Sequence, residues 1–240
     1  MFLFFNVWQI CFLYDILINM KNFSDEEIEK IFQMYQNSHV LKTTLRTGWL
    51  YWGLDKKIRH ESIAEHIYGC LMLATAIFAN TNKINDVDVG RVFLMLALHE
   101  TEEIFIGDIT PYDEKVKDKK KLGREAVLKF FEGAKNKDFF LNVIEEFEEK
   151  TTNEAKFAYM IEKLEADIQA KFYDEHFGVE KVNENVSNSE NILNYKQDGY
   201  TKVSDFFRLF DMAKYDDEFC EIAECLENKD FEQTKEESEK

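Results

Sequence analysis

Along most of the chain, apolar residues recur every three or four positions, the spacing that gathers them on one face of an α-helix. Ser24 followed by Glu27 forms a capping box, and Ile28, Ile31, Phe32 and Tyr35 then repeat at helical spacing, which predicts a first helix. Ser62 and Glu65 form a second box, which predicts a helix to about Asn80 with His66 at the end of its first turn. Asp86 can cap a third helix, whose run from Val92 to Leu98 is apolar on every side and is expected to be buried all round. His99 and Glu100 close that run. Gly107 and Pro111 then break the chain, with Asp108 in the turn between them. Further helices are predicted at about 114–132 and 139–150, and Thr151 with Glu154 forms a third box opening one to about Glu175. Residues 178–200, rich in Asn, Ser and Glu, lack periodicity and are expected to form a mobile loop. Two short helices near 204–214 and 216–226 follow, then a charged tail over 229–240 expected to be solvated.

Composition supports this reading. One Pro and nine Gly in 240 residues leave few helix breakers, so the expectation is an all-α, single-domain helical bundle over residues 20–228. A formal charge of −17 argues against broad contact with nucleic acid, since a polyanion must be met by a Lys/Arg surface. A small anionic substrate fits if positive charge gathers locally. The connector from Lys42 through Arg46, Trp49, Trp52, Lys56 and Lys57 to Arg59, with Asp55 its only acid, gathers it. Cys11, Cys70, Cys220 and Cys225 match no zinc-ribbon or redox spacing, so reduced thiols in a cytoplasmic protein are expected.

Residues 1–19 are apolar except Asn6, Gln9, Asp15 and Asn19, nearly the length of a membrane span. They lack a basic n-region and a small-residue cleavage site, and Asp15 would sit inside the span. The favoured reading is that the native chain starts at Met20; a hydrophobic helix packed on the domain ranks second and a membrane anchor third. No membrane partner is expected, and the oligomeric state is open, a homodimer included.

The chemistry concentrates around His99. On a helix His99 and Glu100 point about 100° apart, so both can reach one ion at the helix end, and Glu103 lies one turn further along. An imidazole and a carboxylate beside an apolar run are costly to desolvate unless compensated, and a divalent cation is the usual compensation. His66, on a separate helix, is the natural third ligand. A His-Glu pair at a helix end is by itself more often a surface pair or a cap. Here acids at Glu100, Glu103 and Asp108 follow a fully apolar helix, whereas a surface helix would alternate its faces. Trp49 and Trp52 read more readily as core or lid aromatics than as ligand contacts, and Glu165 has equal claims to pairing with a neighbouring Lys and to touching the site. His39, His60 and His176 are expected at the surface.

Four separated segments together resemble the HD-domain hydrolases of 5'-deoxynucleotidase type: Arg46-Thr-Gly-Trp49, Glu61-Ser-Ile-Ala-Glu-His66, Leu98-His-Glu-Thr-Glu-Glu103 with Gly107-Asp108, and Glu154-Ala-Lys-Phe157 leading to Glu162-Lys-Leu-Glu165. Their order and spacing agree over about residues 24–175. The resemblance implies an all-α bundle in which two His and two carboxylates hold one divalent ion, whether Mn, Co, Mg, Fe or Zn. By position, His66 and His99 match the His ligands, Glu100 the Asp of the His-Asp pair, and Glu162 the distant Asp. Glu103 matches the catalytic acid, Asp108 the carboxylate that meets the sugar 3'-hydroxyl, Arg46 a phosphate contact, and Trp49 a stacking or steric gate on the sugar. Two departures stand out, since Glu at positions 100 and 162 moves each carboxylate outward by more than about 1 Å. Such longer arms suit a larger or more loosely held cation. Asp167, the alternative fourth ligand, lies about 140° from Glu162 round the helix. The implied activity is metal-dependent hydrolysis of a phosphomonoester, a deoxynucleoside 5'-monophosphate foremost. Hydrolysis of a nucleoside triphosphate or other phosphoester, and a catalytically silent binding module, are the alternatives.

Overall fold

The computed structural model describes residues 23–51, 58–82, 84, 86–110, 113–177, 204 and 217–231. The leader, the side chain of Trp52, the lysines 56 and 57, Pro111, the expected loop at 178–200 and nearly all of the helix expected at 204–214 lie outside the described residues, as do the last nine residues of the tail.

The chain divides into two compact units, one ending at His39 and one beginning at Val40. The first unit holds α1 (Asp25–Ser38), which starts at Ser24 with both arms of the predicted capping box formed. None of its residues is buried, and the stripe of Ile28, Ile31, Phe32 and Tyr35 is more than half exposed.

Among its described residues the second unit is helices joined by turns, with no strand, only an isolated bridge between Leu45 and Ser62. After the short turn α2 (Gly48–Tyr51) come α3 (Ile63–Asn80), α4 (Val89–Leu98), the single turn α5 (Glu103–Ile106), α6 (Lys119–Phe130), α7 (Lys137–Glu149), α8 (Asn153–Phe177) and α9 (Asp217–Glu227). Helices α3, α4 and α8 pack on one another, with α7 and α9 added against α8. The core between them is built from Cys70, Ala74, Val92, Met95, Leu96, Ala158, Ile161 and Leu164, all with essentially no solvent exposure. Helix α3 is long and apolar enough to cross a membrane by composition, but Cys70, Ala74 and Ile77 face this core.

Several details differ from the sequence expectation. Asp88 rather than Asp86 caps α4, accepting from the Arg91 N–H. Helix α4 is not buried all round: Val92, Met95 and Leu96 are, while Ala97 faces solvent, because a helix packed on three neighbours still has an outer face. At the start of α8 it is Thr152, not Thr151, whose hydroxyl accepts from the backbone, at Ala155 N–H. Glu154 reaches across to the Asp88 N–H instead of closing a capping box. The first residues of the tail are docked: Lys171 Nζ donates to the Lys229 carbonyl, and the Phe231 ring meets Phe172.

Candidate metal centre

The site is assembled where the connector meets α3. Arg46 N–H donates to the Glu61 carbonyl at 3.1 Å and Ile63 N–H to the Thr44 carbonyl at 2.9 Å, which splices the connector alongside the start of α3. The capping box at Ser62 fixes the first turn of that helix, and His66 follows on its buried face. His99 comes from the end of α4. There the helix stops at Leu98, so His99 to Glu102 form a turn between α4 and α5 rather than one continuous helix. The turn brings Glu100 to the same side as His99.

His66 is fully buried, with Nδ1 2.5 Å from Glu165 Oε2 and Nε2 3.2 Å from His99 Nε2. His99 Nδ1 donates to the Leu96 carbonyl at 2.8 Å. A neutral imidazole carries one N–H, and this hydrogen-bond pattern assigns it to Nδ1 in both rings. The two Nε2 lone pairs therefore face each other. Burial, then the charge of Arg46 and the neighbouring His99, hold the His66 ring well below its ordinary pKa, so a proton is a poor mediator between them. A cation fits better: nitrogens each about 2.0–2.1 Å from one ion stand roughly 3.0–3.4 Å apart. Glu100 Oε1 lies 3.6 Å from His99 Nε2 and 3.8 Å from His66 Nε2, on the same side.

Two other donor groupings lie close by and fit an ion less well. Glu61, His66 and Glu165 offer ligand atoms within 4.8 Å of one another. The 2.5 Å contact between His66 Nδ1 and Glu165 leaves no room for an ion between them. Cys70 Sγ is 3.8 Å and 3.7 Å from the two His66 ring nitrogens, so it lies over the ring and off the line of either lone pair.

Glu162 lies on α8, mostly buried, with Oε1 2.7 Å from Lys163 Nζ. Burial alone would raise its pKa, but Lys163, through its charge and its hydrogen bond, leads the influences that outweigh this and hold the carboxyl at about 2. It is thus an ionised group within the field of both imidazoles. Glu103 behaves in the opposite way. It is 4 % exposed, and burial with Glu100 and Asp108 nearby pushes its carboxyl up to about 10, although Lys119 Nζ lies 3.7 Å away.

Asp108 follows Gly107, whose backbone at φ 70° and ψ 178° is open essentially to glycine only. Asp108 Oδ2 accepts from Thr47 N–H at 2.6 Å and Thr47 Oγ1–H at 2.9 Å, tying this turn to the segment that carries Arg46. Arg46 Nε is 3.8 Å from Glu61 Oε1, while its Nη1 is buried with no hydrogen-bond partner among the described residues. Trp49 is 2 % exposed, so its ring offers no open face for stacking in this conformation. Its Nε1–H is donated to Glu61 Oε1 at 3.0 Å and its ring packs edge-on against Tyr173.

Of the residues singled out from sequence, His66, His99 and Glu100 converge directly, with Glu162, Glu103 and Arg46 in electrostatic reach. Glu61, Glu165, Thr47 and Lys119 were not assigned roles there. Glu165 could have been placed by its position three residues after Glu162 on one helix, which puts both on one face. Lys119 and Thr47 carry no such signal, because long-range packing alone brings them in. His60, expected at the surface, is 3 % exposed, since the splice between connector and α3 encloses it.

The all-α bundle and the paired imidazoles define a class. The HD domain family model matches residues 38–203, and the chain belongs to that family. It is similar to the 5'-deoxynucleotidase hdd1 of Schizosaccharomyces pombe, 34 % identical over 152 residues that span 59 % of this chain and 71 % of the relative. The human 5'-deoxynucleotidase HDDC2 is 26 % identical over 161 residues, 66 % of this chain and 75 % of the relative. A predicted metal-dependent phosphohydrolase from Magnetospirillum magnetotacticum MS-1 shares the fold, with a TM-score of 0.58 at 22 % identity over 85 % of this chain and 93 % of that one.

Proposed function

We propose that this chain is a divalent-metal-dependent phosphohydrolase that releases phosphate from phosphomonoesters, with deoxynucleoside 5'-monophosphates as its substrate class. The observation that carries this reading is the pair of imidazole Nε2 atoms facing each other at 3.2 Å beside an acidic cluster. The names of the relatives, all 5'-deoxynucleotidases, supply the substrate class.

His66, His99, Glu100 and Glu162 would hold the ion. When bound there, a divalent cation supplies Lewis-acid polarisation of the phosphoryl group and a nucleophilic water at neutral pH. Arg46 binds the phosphate: its Nη1 has donors to spare, and its charge persists at every working pH. Glu103 is the proton-handling group. Its carboxyl is pushed up to about 10 in the metal-free site, and a bound cation would draw it back toward neutral pH, where it can hold a proton and hand it to the departing 5'-oxygen. Asp108 Oδ2 is engaged by Thr47, and its Oδ1 accepts from the sugar 3'-hydroxyl. Trp49 acts at one remove, holding Glu61 and lying 5.9 Å beneath the Arg46 guanidinium carbon.

The test is phosphate release from a panel of nucleotides with Mn²⁺, Co²⁺ and Mg²⁺ supplied in turn, alongside metal analysis of the purified protein. The expected result is metal-dependent release from deoxynucleoside 5'-monophosphates, with metal and activity lost together in His99→Ala. Metal-free protein that releases no phosphate under any of these ions would mark the chain as a silent binding module.

A further inference from the structure

We propose that Glu165 is a positioning residue that fixes His66 as a metal ligand, and that Gly69 is the gap in α3 that lets it take up that position. The inference rests on the metal-site reading above and assigns two residues that it leaves unexplained.

Two observations carry it. The first is the contact itself. Glu165 Oε2 lies 2.5 Å from His66 Nδ1 with both side chains buried, so the carboxylate takes the Nδ1 proton's hydrogen bond and turns the Nε2 lone pair toward His99. A carboxylate behind a ligating imidazole fixes the ring's tautomer and orientation and makes it a stronger donor. His99 has only the neutral Leu96 carbonyl in the equivalent place, so the two imidazoles differ in donor strength. The second observation is independent and concerns space. A Cβ on Gly69 would stand 2.1 Å from Glu165 Oε1 and 2.9 Å from its Cδ, far inside contact distance. Glycine is the poorest ordinary helix former after proline, and it stands in the middle of α3. The carboxylate therefore lies directly against the α3 backbone, in the volume that any other residue at 69 would fill.

Glu165 also belongs to a buried group with Glu61, whose Oε1 faces Arg46 Nε. The same carboxylate pair thus stands between the proposed phosphate contact and the proposed ligand. A purely structural ion pair would require only that Glu165 be charged. A positioning role requires that its oxygen be in one place.

The experiment uses the full chain as wild type, Glu165→Gln, Glu165→Ala, Gly69→Ala and the Gly69→Ala/Glu165→Ala double variant, with His99→Ala as the control for the site. Mn²⁺ affinity is measured by titration, and the histidine Nδ1–H resonances are recorded by proton–nitrogen NMR on the metal-free protein. Gly69→Ala removes no charge, and its gain in helix propensity offsets part of the cost of displacing the Glu165 carboxylate; the melting temperature of the metal-free variant checks that the fold stands. Even so, it is expected to weaken Mn²⁺ binding by about 10- to 100-fold, as Glu165→Gln does, and to shift or lose the His66 Nδ1–H signal while that of His99 stays. In the Glu165→Ala background Gly69→Ala is expected to cost no further affinity, because the displaced group is already gone. Wild-type affinity in Gly69→Ala and Glu165→Gln, with affinity still lost in His99→Ala, would overturn the proposal and leave the metal site standing. A Gly69→Ala effect that persists without Glu165 would overturn it too. Wild-type protein that binds no Mn²⁺ would remove the metal reading and this inference together.

Discussion

Replacing Glu103 by Gln is expected to make the metal-free protein more stable while disabling it. The carboxyl sits in a nearly closed site with Glu100 and Asp108 close by, and its pKa rises from 4.5 to about 10 on folding. Between those two values the folded protein holds a proton that the unfolded chain has released, so stability falls as pH rises across that window. At about 1.4 kcal/mol per pH unit, the cost of keeping Glu103 protonated at pH 7 reaches roughly 3 kcal/mol as an upper bound. Glutamine has the same shape and no proton to lose, so it escapes this cost. At about 2–4 °C per kcal/mol for a chain of this size, the variant should melt several degrees above the wild type at pH 7. The gap should be smallest at pH 5 and widen toward pH 9. Loading the site with a divalent cation draws nearby carboxyls back toward ionisation, so the pH dependence should flatten. Turnover, by contrast, should fall by a factor on the order of 10² with metal content unchanged, since the proton-transfer group is gone. Calorimetry in chelator at three pH values, with phosphate release on the same preparations, measures both. A variant that melts with the wild type at every pH would show that Glu103 is not held neutral by its surroundings. Full turnover would remove it from the chemistry.

Arg46→Ala is expected to raise KM for a deoxynucleoside 5'-monophosphate by at least about tenfold with a smaller change in kcat, because its charge is felt in ground and transition states alike; steady-state kinetics read this, and a fall in kcat alone would contradict it. Gly107→Ala is expected to destabilise by about 1–3 kcal/mol through backbone strain alone, since no atom stands within 4 Å of the added Cβ. The same change should raise KM by displacing Asp108 from Thr47, so an unchanged melting temperature would refute the strain argument.

The parts of this protein that were legible in the sequence are those encoded locally. The capping boxes at Ser24 and Ser62 predict helix starts to the residue, because each is satisfied within four residues. Thr151 fails as a cap for the same local reason: Thr152, one step along, offers an equivalent hydroxyl, and Glu154 finds a better partner in the distant Asp88 N–H. The direct convergence of His66, His99 and Glu100 was readable because the apolar run before His99 signals burial, and a buried imidazole needs an explanation. The turn at His99 was not, since nothing in the composition of residues 96–103 stops a helix. Nor was the burial of His60, which depends on a pairing between residues 44–46 and 61–63 that the intervening sequence does not announce.

The two glutamates that stand in place of aspartate make physical sense once their neighbours are considered. An added methylene lengthens the arm at position 162 and would leave its carboxylate free to swing. Lys163 restrains this by taking Oε1 at 2.7 Å. The cost of burying that negative charge is offset chiefly by Lys163, which is why the carboxyl stays ionised at about 2 despite its enclosure. Glu100 has no such anchor among the described contacts, and its Oε1 stands 3.6 Å and 3.8 Å from the two ring nitrogens. The proposed ligand set is therefore uneven: two imidazoles fixed from behind by Glu165 and the Leu96 carbonyl, one tethered carboxylate and one longer arm. In such a site the rings set where the ion sits, and the carboxylates adjust to its size.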